Sequence, residues 1–168
     1  MTIEGPMHGV HCPCRGLWRS RGFTAIELIL VMAIIGAFAA IAIPRISTVL
    51  ARQRVQQAAG RISADILRAS ALARAASRTY TITFVRNSAR YTVSGFDASG
   101  NSVSWQVTLG DEPYLCKMSS VEFGVDQAFS INGYGVPGEG GKVSLAAGSA
   151  GAVVTVDPSL PQPTITSK

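Results

Sequence analysis

Three patterns of apolar and polar positions succeed one another along the chain. Residues 23–43 (FTAIELILVMAIIGAFAAIAI) are apolar on every side and carry one charge, Glu27. As a helix those 21 residues reach about 31 Å, the thickness of a bilayer's hydrocarbon core. A helix buried in a soluble core is rarely apolar all round, so the pattern predicts a membrane-crossing helix. From residue 45 to 78 the apolar positions thin to a stripe, Val55, Ala58, Ile62, Ile66, Ala69, Ala73 and Ala76, at steps of three or four. Ala, Arg, Gln and Leu dominate here, which predicts an amphipathic continuation of the helix whose stripe packs on a globular domain. Arg54, Arg61 and Arg68 recur every seven residues as a ridge on that helix, and Gly60 is a mild weak point in it.

From residue 79 the period becomes two. Residues 79–86 and 89–96 read as a hairpin across Asn87-Ser88, and 102–109 as the next strand after a turn at 97–101. Further strands are expected at 120–123, 128–131, 142–146 and 152–156. Residues 133–141 (GYGVPGEGG) read as a surface loop, and the tail 157–168, with three prolines, as extended chain. The expected class is therefore α+β: one long N-terminal helix, its first half membrane-spanning, packed on a C-terminal antiparallel β domain.

Charge is distributed unevenly. Residues 1–90 hold twelve Arg and no Lys against three acids, a balance of +9. Residues 91–168 hold three Lys against seven acids, −4, which together give the chain's +5. The basic half suits an anionic surface, and membrane head groups and nucleic acid are the usual candidates. Arg15, Arg19 and Arg21 lie just before the apolar run and place its N-terminus on the cytoplasmic side. Ala40-Ile41-Ala42 resembles a signal-peptidase site, but the apolar run is longer than a signal peptide needs and a helical pattern continues beyond it.

Glu27 is the anomaly in the apolar run. A carboxylate in hydrocarbon costs on the order of a few kcal/mol and calls for a partner. No Lys, Arg or His lies within 23–43, so a partner comes from another chain or from a new amino terminus. As the fifth residue of the run, Glu27 also lies close enough to the interface to reach water.

Arg21-Gly22-Phe23-Thr24-Ala25-Ile26-Glu27-Leu28 resembles the processing signal of type IV pilins and type II secretion pseudopilins. The family pattern is a basic leader ending in Gly, then Phe-Thr-x-x-Glu opening an apolar helix. The resemblance implies cleavage by a prepilin peptidase after Gly22 and N-methylation of the new first residue, Phe23. It implies that Glu27 is the assembly acid and Pro44 the proline that often closes the apolar half. Its domain layout is a removed leader at 1–22, an assembly and membrane helix at 23–43, its amphipathic continuation at 44–78 and a β domain at 79–168. The physics agrees: a glycine lets a protease approach the backbone, and the freed ammonium of Phe23 can neutralise a neighbour's Glu27 in a low-dielectric core. Residues 129–156 further resemble the C-terminal part of the GspH/FimT branch.

The remaining chemistry is sparse. His8 and His11 fall in the leader, which leaves the mature chain without histidine and weakens triad and metal-hydrolase readings. Cys12-Pro13-Cys14 is too tightly spaced for a usual zinc site. Cys116, the one cysteine outside the leader, reads as a buried thiol. Gly133-x-Gly135 and Gly138-x-Gly140 lack the Gly-Lys-Ser/Thr and helix of a phosphate loop. No enzyme and no cofactor or metal is expected.

The expected function is that of a minor pseudopilin of a type II secretion system, a single-pass inner-membrane protein with a periplasmic β domain. Its partners would be the prepilin peptidase, other pseudopilins or pilins, and membrane lipid. The alternative is a FimT-like minor pilin whose Arg side chains hold DNA during uptake. The Arg ridge admits three readings: a solvated face, a contact with subunits or lipid near Arg45 and Arg52, or a DNA surface.

Overall fold

The computed structural model describes residues 22–85, 88–124 and 126–167. The chain divides into two compact units between Ala40 and Ile41. A single helix assignment, α1, covers Ala25–Ala76. Position 44, a proline, falls inside it rather than at an end. Residues 1–21, which hold all but the last residue of the expected leader 1–22, lie outside the described residues, as do Arg86 and Asn87 of the expected hairpin.

In the first unit the helix is long and apolar enough to cross a membrane, and its apolar window is wholly unburied. Phe23, Ile26, Ile29, Met32 and Phe38 are each more than 65% exposed. A contiguous apolar surface of this extent is stable only when lipid or protein covers it.

The second unit joins the rest of α1 to eight strands: β1 Tyr80–Phe84, β2 Arg90–Phe96, β3 Ser102–Thr108, β4 Lys117–Glu122, β5 Ala128–Ile131, β6 Gly141–Ala147, β7 Ala150–Val156 and β8 Thr164–Ser167. They form two four-stranded sheets, in the orders β3-β2-β1-β5 and β4-β6-β7-β8. Every pairing is antiparallel. The fold is thus α+β, one long helix packed against an antiparallel β domain.

Alternation puts Tyr80, Ile82 and Phe84 of β1 and Tyr91 and Val93 of β2 into the core. Val143, Leu145, Val154 and Val156 enter from the other sheet. From α1 come Val55, Ala58, Ala59, Ile62, Ile66, Ala69 and Ala73, all buried in the same cluster. The alanines, with the larger Ile62 and Ile66, form the helix's side of this core. Phe84, Phe123 and Phe129 stack at the heart of the core, with Phe123 and Phe129 ring centroids 4.7 Å apart.

The helix ends at Ala76, two residues short of the expected 78. Ser77 takes a left-handed conformation (φ 51°), the Arg78 amide donates to the Ala73 carbonyl, and the Ser77 amide to that of Arg74. This is the Schellman closure, with serine in the position glycine usually takes.

β4 begins three residues before its expected start at 120, and two further segments differ in kind from the sequence expectation. The tail is not simply extended: Asp157 turns it, accepting from the Ser159 amide at 2.8 Å and the Ser159 hydroxyl at 2.7 Å, and β8 then pairs with β7. The three prolines precede β8, so its Thr-Ile-Thr-Ser run is free to use the open edge of β7. The glycine-rich segment after β5 is a built turn packed on α1. Asn132 Oδ1 accepts from the amides of Tyr134 (3.0 Å) and Val136 (3.1 Å), and Pro137 bridges back to Ile131. Gly135, at φ +76°, lies so close to α1 that a Cβ there would sit 2.7 Å from the Ser70 carbonyl oxygen.

Candidate processing and assembly site

Gly22, Phe23 and Thr24 precede the first turn of α1. A Cβ placed on Gly22 would meet nothing within 4 Å, and Phe23 is 81% exposed, so among the described residues nothing covers the Gly22–Phe23 peptide bond. Thr24 is the N-cap. Its carbonyl accepts the first helical bond, from the Leu28 amide at 3.2 Å, and its hydroxyl accepts from the Glu27 amide at 3.3 Å. Thr24 and Glu27 therefore stand in the Thr-x-x-Glu spacing of a capping box. Glu27 also lies in the first helical turn, where the helix dipole favours an anion.

This gives Glu27 a local role that the sequence reading did not assign, though the Thr-x-x-Glu spacing carried the signal. Its side chain is exposed and has no ion-pair partner among the described residues. The open peptide bond, Phe23, the cap and the carboxylate thus lie within six consecutive residues, Gly22 to Glu27. Pro44 is separate from this group, in the middle of α1.

The Arg ridge is used largely inside the β-bearing unit. Arg61 Nε lies 3.0 Å from Asp65 Oδ2, one helical turn on. Asp65 is 3% exposed, and the same oxygen accepts from the Tyr91 hydroxyl at 2.6 Å. The Asp65 charge raises the Arg61 pKa. Burial, and then the bond to Asp65, push the Tyr91 hydroxyl well above its usual value, so it stays a donor. The Arg68 guanidinium lies over the Trp105 ring, 4.8 Å from its centroid. Arg45 and Arg52 are exposed.

Sequence reasoning counted Asp65 only as a charge. Its spacing was informative, because it falls three residues after Ile62 and four before Ala69, on the apolar stripe itself. Cys116 is buried, its thiol contacting the Tyr114 carbonyl at 3.1 Å. Burial raises its pKa, with the nearby Arg54 charge opposing. Among the described residues no group of three His, Cys, Asp or Glu is placed to hold a metal ion. A cleft between α1, the 134–137 turn and the tail is lined by Leu67, Ser70, Arg74, Tyr134 and Leu160, a surface without paired acids or a nucleophile–base pair.

No protein-family model, curated protein or solved structure matches the chain.

Proposed function

We propose that this chain is a minor subunit of a periplasmic pseudopilus of the type II secretion kind, made as a membrane precursor and released for assembly by cleavage after Gly22. The observation that carries the reading is the first turn of α1. An exposed Gly22–Phe23 bond sits directly before a Thr24 cap and a Glu27 without an ion-pair partner among the described residues, at the head of an uncovered apolar helix. Cleavage leaves an ammonium on Phe23, which N-methylation would modify. That cation at a helix N-terminus is unfavourable by itself, and a carboxylate from an adjacent subunit offsets it. The apolar helix would first hold the precursor in the inner membrane with its N-terminus cytoplasmic. It would then line the filament interior, with the β domain facing the periplasm and other subunits.

The test is the intact mass and N-terminal sequence of the membrane-extracted chain, produced with and without an active prepilin peptidase. The reading expects a mature chain beginning at methylated Phe23 only when the peptidase is present. A chain that stays uncut beside the active peptidase, or one cut after Ala42, overturns it.

The DNA-binding alternative gains no support from the ridge, because Arg61 and Arg68 are engaged with Asp65 and Trp105.

A further inference from the structure

Each sheet has two edges, and the four edges differ in how they are protected. An unguarded edge offers a row of unpaired N–H and C=O groups to another strand. β4 carries Lys117 and Glu122 and a break in register between Met118 and Ser120. β8 has only four residues. β5 also has four, and its outer side is covered by its own following turn: the Gly138 amide donates to the Ser130 carbonyl at 2.8 Å, and Pro137 bridges to Ile131.

β3 has none of these protections. It is seven residues long, Ser102-Val103-Ser104-Trp105-Gln106-Val107-Thr108, without charge, proline or glycine. Its register with β2 runs unbroken from Ser102 to Thr108. Among the described residues nothing pairs on its outer side.

The strand is also a chemical palindrome about its central residue, Trp105. Turned about a two-fold axis there and laid antiparallel on itself, it sets Trp105 opposite Trp105, Val103 opposite Val107, Ser104 opposite Gln106, and Ser102 opposite Thr108. Valines, indoles and polar residues each meet their own kind. The half-buried residues Val103, Trp105 and Val107 share one face, and the exposed Ser102, Ser104 and Gln106 share the other, so this register keeps both faces matched. A one-residue slip would set inward-facing side chains against outward-facing ones. Cross-strand aromatic pairs are stabilising, and the two strands themselves set no like charges against each other.

We propose that β3 pairs with β3 of a second copy of this chain, antiparallel about a two-fold axis at Trp105, and so joins the two β3-β2-β1-β5 sheets. The contact is isologous, so it closes as a dimer. It does not rest on the filament reading, since it uses the β domain alone.

The test uses the full chain in detergent micelles, with mass measured by sedimentation. Wild type is expected to be dimeric. The double variant Ser104→Lys with Gln106→Lys sets cation against cation across the axis at exposed positions and is expected to be monomeric, with a wild-type near-UV circular dichroism spectrum. Mixing it with the Ser104→Glu, Gln106→Glu chain is expected to restore a heterodimer. Independently, a Ser104→Cys chain and a differently tagged Gln106→Cys chain are expected to form a mapped 104–106 disulfide under mild oxidant. A monomeric wild type overturns the proposal. So does a dimer that both charged variants retain, which would place the contact elsewhere, and so does failure of both the mixed pair and the disulfide. A β3 edge that instead captures an extended peptide of another protein would appear as a monomeric wild type.

Discussion

The Tyr91 hydroxyl, on β2, donates a 2.6 Å hydrogen bond to Asp65 of α1, 26 residues earlier in the chain. Together with the Arg68 guanidinium over Trp105, it makes polar contact between the helix and the first sheet. Asp65 accepts from Arg61 as well, so its charge is matched within the helix and its direction is fixed by the sheet. Replacing Tyr91 with Phe should destabilise the domain by about 1.5–3 kcal/mol, the range for a hydrogen bond to a charged group. Asp65→Ala should be at least as harmful, since it strands the buried Tyr91 hydroxyl. The double variant Asp65→Leu, Tyr91→Phe should cost less than the sum of its singles, because no buried polar atom is left alone. Thermal melts of the detergent-solubilised chain, followed by near-UV circular dichroism, measure all three.

The same hydroxyl gives a pH dependence with a definite sign. Its pKa is raised in the fold above the unfolded value of about 10. Above that pH the unfolded chain releases the Tyr91 proton while the folded chain keeps it, so the folded state binds more protons. Stability from this group is therefore complete below about pH 10 and is lost as pH rises beyond it, at up to about 1.4 kcal/mol per pH unit. Melting temperatures between neutral and strongly alkaline pH should fall more steeply for wild type than for Tyr91→Phe. Parallel slopes would remove Tyr91 from the account.

Much of this domain could be read from periodicity, because side-chain spacing reports burial directly. Six of the seven stripe positions, from Val55 to Ala73, are buried, and Ala76 is half-buried. Alternation located β1 to β3 and β5 to β7 within two or three residues. It says which face is buried and not which strand is the neighbour. The pairing of β1 with β5, and the division into two sheets, depend on contacts far apart in sequence. β8 was hidden by the prolines before it, whose turn signal masks a four-residue strand. At the other end, the Gly22–Glu27 segment read as a processing signal and drew attention from the plainer fact that Thr24 caps the helix.

The turn after β5 offers a sharp contrast between two glycines. At Gly135 the backbone is left-handed and a Cβ would press on the Ser70 carbonyl and the Arg74 side chain of α1. At Gly138 a Cβ would lie 3.3 Å from the Ser130 hydroxyl oxygen, which can rotate aside. Gly135→Ala should therefore destabilise the domain by about 1–3 kcal/mol, combining the left-handed backbone with overpacking. Gly138→Ala should change stability by less than about 1 kcal/mol. Proteolysis within 132–140 should rise in the first variant alone.

Glu27 carries two possible duties, capping its own helix and supplying charge to a neighbour, and side-chain chemistry separates them. Glutamine keeps the shape and the capping ability of glutamate at the third helical position but removes the charge. Valine removes both, and suits hydrocarbon better than either. Thr24→Ala removes the other half of the box and leaves the charge, weakening the first turn by about 1 kcal/mol. If the carboxylate acts on a neighbouring amino terminus, Glu27→Gln and Glu27→Val should both insert and be cleaved yet fail to assemble, while Thr24→Ala assembles with modest loss. Recovery of sheared or cross-linked oligomers from membranes measures this. A Glu27→Gln chain that assembles like wild type would reduce Glu27 to a capping residue and remove charge pairing from the assembly reading.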